Sequence, residues 1–211
     1  MFKRWLTALL VLTCFSVVAE PTQFSDPNEM LKQVTERSLM RISAERDALE
    51  HDKAKVRQLI DEELLPYIDY KYAALKVMGQ QARRATKEQR AAFTAEFKEY
   101  MLATFASAFD KYTDQTLQFG NDTPFADAKI VAVNVKLLEP GRDPIDLQFK
   151  SRRNKKGHWK VFDLVAEGIS LLASQQAELG GLIRQQGIES VTEQLADRNR
   201  KGIVATTGQS Q

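Results

Sequence analysis

In the first half of the chain apolar side chains recur at helical spacing; from "QTLQFG" onward they alternate with polar ones. In "SDPNEMLKQVTERSLMRISAERDALE", Asp26 is placed to cap a helix, with Pro27 in its first position and Glu29 in its first turn. A second helix fits 52–65, where Val56, Leu59, Ile60 and Leu64 follow helical spacing, and Pro66 ends or redirects it. A third fits 69–78, with Gly79 as its cap. The longest predicted helix is 87–112, opened by a capping box of Thr86 and Gln89 and roughly 39 Å long. On it Phe93, Phe97, Met101, Phe105 and Phe109 recur every fourth residue. Four residues turn a helix by about 400°, so the stripe drifts by about 40° at each step. Different elements along its length, or a curved sheet, must therefore cover it.

The second half reads as β. "KIVAVNVKLLE" sets Val131, Val133, Val135 and Leu137 on one face, with Asn134 and Lys136 on the other. After the turn "PGRDP", "PIDLQFKS" points Ile145, Leu147 and Phe149 inward. After "RRNKKG", the strand "HWKVFDLVAEG" follows, and "QTLQFG" ahead of the run supplies a fourth strand. Turns this short build an antiparallel meander with one buried face. Helices return at "ISLLASQQAELGGLIRQQ" and "IESVTEQLADRN", with Gly187 between them and Ser170 as an N-cap. The predicted class is α+β, a curved antiparallel four-stranded sheet packed against several helices. It forms one domain over 20–200, with 201–211 expected to be a disordered tail.

The N-terminus changes how charge is read. "MFKRWLTALLVLTCFSVVAE" has a basic start at Lys3 and Arg4, an uncharged apolar run and small residues up to Ala19. This is the layout of a secretory signal peptide, 1–19, cleaved after Ala19. The run is shorter than the roughly 20 apolar residues a membrane span needs. Cys14, the only cysteine, lies inside it and follows Thr13, where a lipoprotein signal would carry a small residue. The exported chain therefore has no disulfide and stands on its hydrophobic core. A chain of this size buries roughly 70% of its unfolded surface. Without Lys3 and Arg4 the basic residues number the same as the 28 acidic ones. That balance gives no reason to expect a nucleic-acid partner, which selects a basic face.

Little of the chain suggests covalent chemistry. The two histidines, His51 and His158, lie apart at a polar helix boundary and a strand start, and form no spaced metal-ligand set. Neither a nucleophile elbow nor a phosphate-binding glycine loop is present. Asp163 stands in an apolar strand, on the face that alternation assigns to Trp159 and Val161. Buried there, it must bond to backbone or to a nearby Tyr or Arg, or else act as a general base in a cavity. The hairpin "KSRRNKKGHWK" gathers Lys150, Arg152, Arg153, Lys155 and Lys156, as a solvated turn or as a site for an acidic partner or phosphate headgroup.

Glu63-Leu64-Leu65-Pro66, Tyr67, Tyr72, Met78-Gly79, Thr86, Gln89-Arg90, Phe93 and Phe97 follow the order of a known signature. A second block, "VFDLVAEGISLLASQQAELGGLIRQQGIESVTEQL", carries Asp163, Glu167-Gly168 and Ser170. In both blocks the chain resembles the MlaC or toluene-tolerance family of periplasmic phospholipid-binding carriers, over essentially all of 20–200. It departs at Ala82, where the family often has an aromatic, and at Ser151, where a strand often carries a large residue; both are smaller. The resemblance implies a periplasmic carrier without catalysis or cofactor, and phospholipid as its cargo. It also implies two partners: an outer-membrane lipoprotein complex and an inner-membrane ABC transporter complex with a lipid-binding ring subunit. Shuttling between them would maintain outer-membrane lipid asymmetry.

Such a carrier needs an enclosed apolar cavity, because each buried methylene is worth about 0.8 kcal/mol. The expected lining is the inward sheet face (Val133, Val135, Leu147, Phe149, Trp159, Val161) and the drifting stripe Phe93, Phe97, Met101, Phe105 and Phe109. Tyr72, Leu75 and Met78 of the third helix join it, with Ile169 and Leu172 after the last strand. Two other readings stay open: an enzyme on a cone-shaped sheet with Asp163 as base, and a periplasmic chaperone that displays apolar surface.

Overall fold

A computed structural model describes residues 21–109 and 115–207. The signal peptide expected at 1–19 and the last residues of the helix expected to reach 112 lie outside the described residues. The chain runs through α1 (Pro27–Ala44), α2 (Arg46–His51), α3 (Lys53–Leu59), α4 (Tyr70–Met78), α5 (Gln81–Arg84) and α6 (Lys87–Phe109). The strands β1 (Thr116–Phe119), β2 (Ile130–Leu138), β3 (Ile145–Arg153), β4 (Trp159–Ala166) and β5 (Ile169–Ser170) follow, then α7 (Leu171–Gln186) and α8 (Ile188–Thr207).

Local chemistry explains most of these boundaries. Asp26 accepts from the amides of Asn28 and Glu29 and starts α1 with Pro27 in the first turn. Asp52 caps α3 in the same way. The predicted helix 52–65 stops being regular at Ile60: a π turn, Ile60–Leu64, leads into a 3-10 turn, Leu65–Tyr67, that carries Pro66. The proline ring cannot continue the α-helix, and the widened turn absorbs the misfit. Asp69 caps α4, and Gly79, at φ +57°, closes it by bonding back to the carbonyls of Leu75 and Lys76. Thr86 and Gln89 make both bonds of the capping box, each amide reaching the other's side chain.

The strands form one antiparallel meander in the order β1-β2-β3-β4-β5. The fifth strand, two residues long, was not expected; Glu167 (φ +50°) and Gly168 (φ +78°) form the tight hairpin turn that folds it back on β4. α8 continues to Thr207, into the stretch that the sequence assigns to a disordered tail.

The drift of the α6 stripe is realised in packing. Phe93 and Phe97 sit in a buried cluster with Ala74, Val77, Leu179, Ile183, Val191 and Leu195 of α4, α7 and α8. Phe105 and Phe109 pack instead against a second cluster built on Leu49, Val56, Leu59 and Ile60. A third cluster covers part of the sheet: Val131, Val133, Val135 and Trp159 lie under Phe24, Tyr67 and the Met30, Leu31 and Val34 face of α1. Trp159 is tied to that segment twice, its amide donating to Phe24 O at 3.0 Å and its indole to Ser25 O at 2.9 Å.

Candidate functional site

The clusters leave a cavity of about 400 Å³ between α1, α6, the start of α7 and the sheet. That is within the usual size of ligand pockets. α1 contributes Met30, Leu31, Val34, Thr35, Ser38 and Leu39; the turn after α3 and the start of α4 contribute Leu64, Tyr67, Ile68 and Ala73. α6 contributes Phe97, Tyr100, Met101, Thr104 and Phe105, and α7 contributes Leu171, Leu172 and Gln175. The sheet supplies Leu117, Phe119, Phe149 and the consecutive residues Val161, Phe162, Asp163 and Leu164.

Four neighbours of one strand border the same cavity because β4 carries a bulge. Ser151 pairs with Val161 but Lys150 pairs with Asp163, so Phe162 is an extra, unopposed residue. Residues directly opposite across an antiparallel pair share a face. The bulge therefore moves Asp163 off the face of Trp159 and Val161, where alternation put it, and onto that of Lys150. Chain from the first half docks at this irregularity: the Asp69 amide donates to Val161 O at 2.7 Å, and Ile68 pairs with Val161.

Asp163, 6% exposed, accepts from the Ser170 hydroxyl at 2.7 Å and the Leu172 amide at 3.0 Å, with Lys150 Nζ 3.3 Å away. Ser170 in turn accepts from the Ala173 amide. The carboxylate thus anchors the first turn of α7 to the sheet, with two hydrogen bonds and one ion pair on its oxygens. The basic hairpin is largely answered from within. Arg152 bonds Asp69 at 2.6 Å and lies 4.2 Å over the Tyr72 ring, while Arg153 donates to the carbonyls of Phe125 and Ala126 and covers Trp159. Lys155 and Lys156 remain exposed on the turn.

Of the residues expected to line a pocket, Phe97, Met101, Phe105, Phe149, Val161 and Leu172 border the cavity. The others are placed elsewhere. Phe93 and Met78 are filled core between α4, α7 and α8. Val133, Val135 and Trp159 are covered by Phe24 and α1, and Leu147 packs at the margin of the same cluster. Phe109 packs on the α3 side. Tyr72 lies between Phe162, edge-on at 5.2 Å, and Arg152. Leu75 is 42% exposed and Ile169, on the edge strand, 64%. α4 buries Ala73, Ala74, Val77 and Met78. At about 100° per residue, Met78 falls on the flank of that stripe and Leu75 well outside it. Ser151 is fully buried but not in the cavity wall, and Ala82 packs against the α4–α7–α8 cluster.

The α1 wall, Tyr100 and Gln175 were not foreseen. Met30, Leu31 and Val34 already follow helical spacing in the sequence, a signal of a buried face whose partner the pattern does not name. Gln175 carried no such signal.

A helix-and-sheet shell around an apolar ligand cavity is the class of protein that this geometry defines. The model of the family described as MlaC protein matches residues 32–197, most of the chain. The chain belongs to the MlaC family. It is 29% identical over 205 residues to the intermembrane phospholipid transport system binding protein MlaC of Haemophilus influenzae, covering 96% of each chain. The phospholipid-binding protein of Ralstonia solanacearum, solved in complex with a phospholipid, has the same fold. That likeness has a TM-score of 0.75 at 24% identity, covering 84% of this chain and 99% of that one.

Proposed function

We propose that this protein is a periplasmic phospholipid carrier: it holds acyl tails in the cavity and moves lipid between membranes without making or breaking a covalent bond. The observation that carries the reading is the cavity itself, walled by apolar side chains of α1, α6, α7 and the sheet. Both relatives support it, one named for intermembrane phospholipid transport and the other solved with a phospholipid bound. The lining comprises Phe97, Met101, Phe105, Phe149, Val161 and Leu172 with the α1 residues. The donors and acceptors of lipid are an outer-membrane lipoprotein complex and an inner-membrane ABC transporter complex with a lipid-binding ring. Among the described residues no helix is long and apolar enough to cross a membrane, which suits a shuttle.

The engagement of Asp163 with Ser170, Leu172 and Lys150 favours an anchoring role over that of a general base. The test is transfer of a labelled phospholipid between separate vesicle populations. Added protein is expected to raise the rate in proportion to its concentration; a rate equal to that of vesicles alone overturns the proposal.

A further inference from the structure

The sheet face turned away from the cavity gathers cations that the chain's own acids do not neutralise. The strand registers set Arg152 between Ile130 and Lys160, on the face opposite to Val131, Ser151 and Val161. Arg152 and Lys160 are thus like charges directly opposed across a strand pair, an arrangement that destabilises a sheet. Asp69 answers Arg152, while Lys160 meets no carboxylate among the described residues. α4 adds Lys76: the Arg152 guanidinium and Lys76 Nζ lie 4.2 Å and 5.3 Å from the centre of the same Tyr72 ring. The turn from β3 to β4 adds the exposed Lys155 and Lys156, and Asn154 fixes that turn by accepting from the Lys156 and His158 amides. Against these stand Asp69, already bound, and the exposed Asp127 of the loop before β2. Behind the signal peptide the chain carries as many basic as acidic residues, so the excess is local.

Apolar side chains are interleaved with these cations. Leu75, next to Lys76, is 42% exposed, and Ile130, across from Arg152, is 52% exposed. The cations come from α4, β3, β4 and the turn between the strands, so they define a broad surface and not a point. Charge alone would also suit an acidic protein. Breadth combined with exposed aliphatic side chains favours a bilayer, where lysines meet anionic headgroups and aliphatics enter the boundary with the acyl region. None of these residues borders the cavity, so a bilayer bound here leaves the cavity wall uncovered. Behind them, Tyr72 meets Phe162 edge-on at 5.2 Å, and Phe162 does border the cavity.

We propose that this face, built on Lys76, Arg152, Lys155, Lys156 and Lys160, tethers the protein to the surface of an anionic phospholipid bilayer. Lipid phosphates supply the negative charge that the fold withholds from Lys160 and relieve its repulsion from Arg152, which keeps Asp69. Leu75 and Ile130 leave water for the headgroup boundary. Each cation brought to an anionic surface raises affinity by about fivefold, so several weak contacts add to a reversible attachment. The tether goes beyond the carrier reading and does not depend on it.

The experiment is flotation of the purified protein with vesicles of equal parts phosphatidylglycerol and phosphatidylcholine, beside vesicles of phosphatidylcholine alone. The protein is expected to float with the anionic vesicles at low salt, not with the neutral ones, and to be released near 1 M salt, where the Debye length is about 3 Å. Lys160→Gln should weaken binding about fivefold and the Lys155→Gln, Lys156→Gln double variant about 25-fold. Lys55→Gln removes an exposed lysine of α3, outside the patch, and should leave binding unchanged. Lipid carried per mole of protein should be the same in all of them, which separates the tether from the cargo site. No binding to anionic vesicles, or equal binding to neutral ones, overturns the inference and leaves the carrier reading intact. So does a loss in Lys55→Gln equal to that in Lys160→Gln, which would make net charge the cause. Binding of polyglutamate at these lysines without binding of vesicles overturns the bilayer as occupant and assigns the face to an acidic protein.

Discussion

Lys150 Nζ stands 3.3 Å from Asp163 Oδ2, although strict alternation along β3 and β4 would set the two residues on opposite faces of the sheet. The extra residue at Phe162 turns Asp163 round, and the first turn of α7 hangs from its carboxylate. Asp163→Ala leaves the Leu172 amide and the Ser170 hydroxyl without their acceptor, which should cost about 2–4 kcal/mol of stability. Asp163→Asn keeps an accepting oxygen and should cost less. Urea unfolding with an unchanged m-value checks both; a loss under about 0.5 kcal/mol for the alanine variant, the scale of an ordinary surface change, would contradict the anchoring role.

Two aromatic or apolar positions on α6 that look equivalent in the sequence should respond differently. Phe93 is filled core, so Phe93→Ala should cost about 3–5 kcal/mol while each folded molecule still holds lipid. Met101 borders the empty space, so Met101→Trp should place its ring in the cavity and lower bound lipid several-fold at little cost in stability. Lipid per mole of folded protein, measured beside the unfolding midpoint, separates the two.

α4 and α7 approach so closely that a Cβ built on Gly180 lies 2.7 Å from Val77 O. Backbone cannot yield there as a flexible side chain would, and Gly180→Ala should destabilise by about 1–3 kcal/mol. At Gly181 the nearest atom is the far end of Arg184, 3.7 Å away, so Gly181→Ala should be neutral or gain up to about 1 kcal/mol from helix propensity. Thermal unfolding of the pair is decisive; equal effects would contradict the close packing.

The C-terminal end of α1 is held by charge. Arg41 bonds Glu62 at 2.6 Å, Glu45 at 2.9 Å and Glu63 at 3.2 Å. The Gln58 amide and the Arg41 guanidinium hold the Glu62 carboxyl below its ordinary value. A carboxyl depressed in the folded state stabilises above its unfolded pKa, near 4.3, and loses that contribution as pH falls through the lower folded value. Below about pH 4 the end of this cavity wall should therefore loosen. Hydrogen exchange at the α1 C-terminus should rise with acid in the wild-type protein and depend less on acid in Glu62→Gln; identical acid dependence would exclude Glu62 as the cause.

Elements whose cause is local were legible in the sequence. Asp26, Gly79, Ser170 and the Thr86–Gln89 box all act where the pattern put them, while Asp69, expected as the first residue of the third helix, caps it from one position ahead. The drift of the Phe93–Phe109 stripe correctly required more than one partner, because it follows from helix geometry alone. What periodicity could not reveal was which buried positions meet protein and which meet space. Phe93 and Phe97 differ only in what α4, α7 and α1 leave uncovered, and that depends on contacts between distant segments. The bulge at Phe162 was equally hidden: alternation assumes an unbroken register, and one extra residue reverses every face assignment after it. The α1 wall was missed for a third reason, since an amphipathic helix declares a buried face but not what that face encloses.

The central claim is that the cavity carries phospholipid, and native mass spectrometry of protein isolated from its own envelope without detergent tests it most directly. The account predicts a mass above that of the polypeptide, the excess released on activation and identified as phospholipid. A polypeptide-only mass, with no phospholipid in the organic extract, would contradict it.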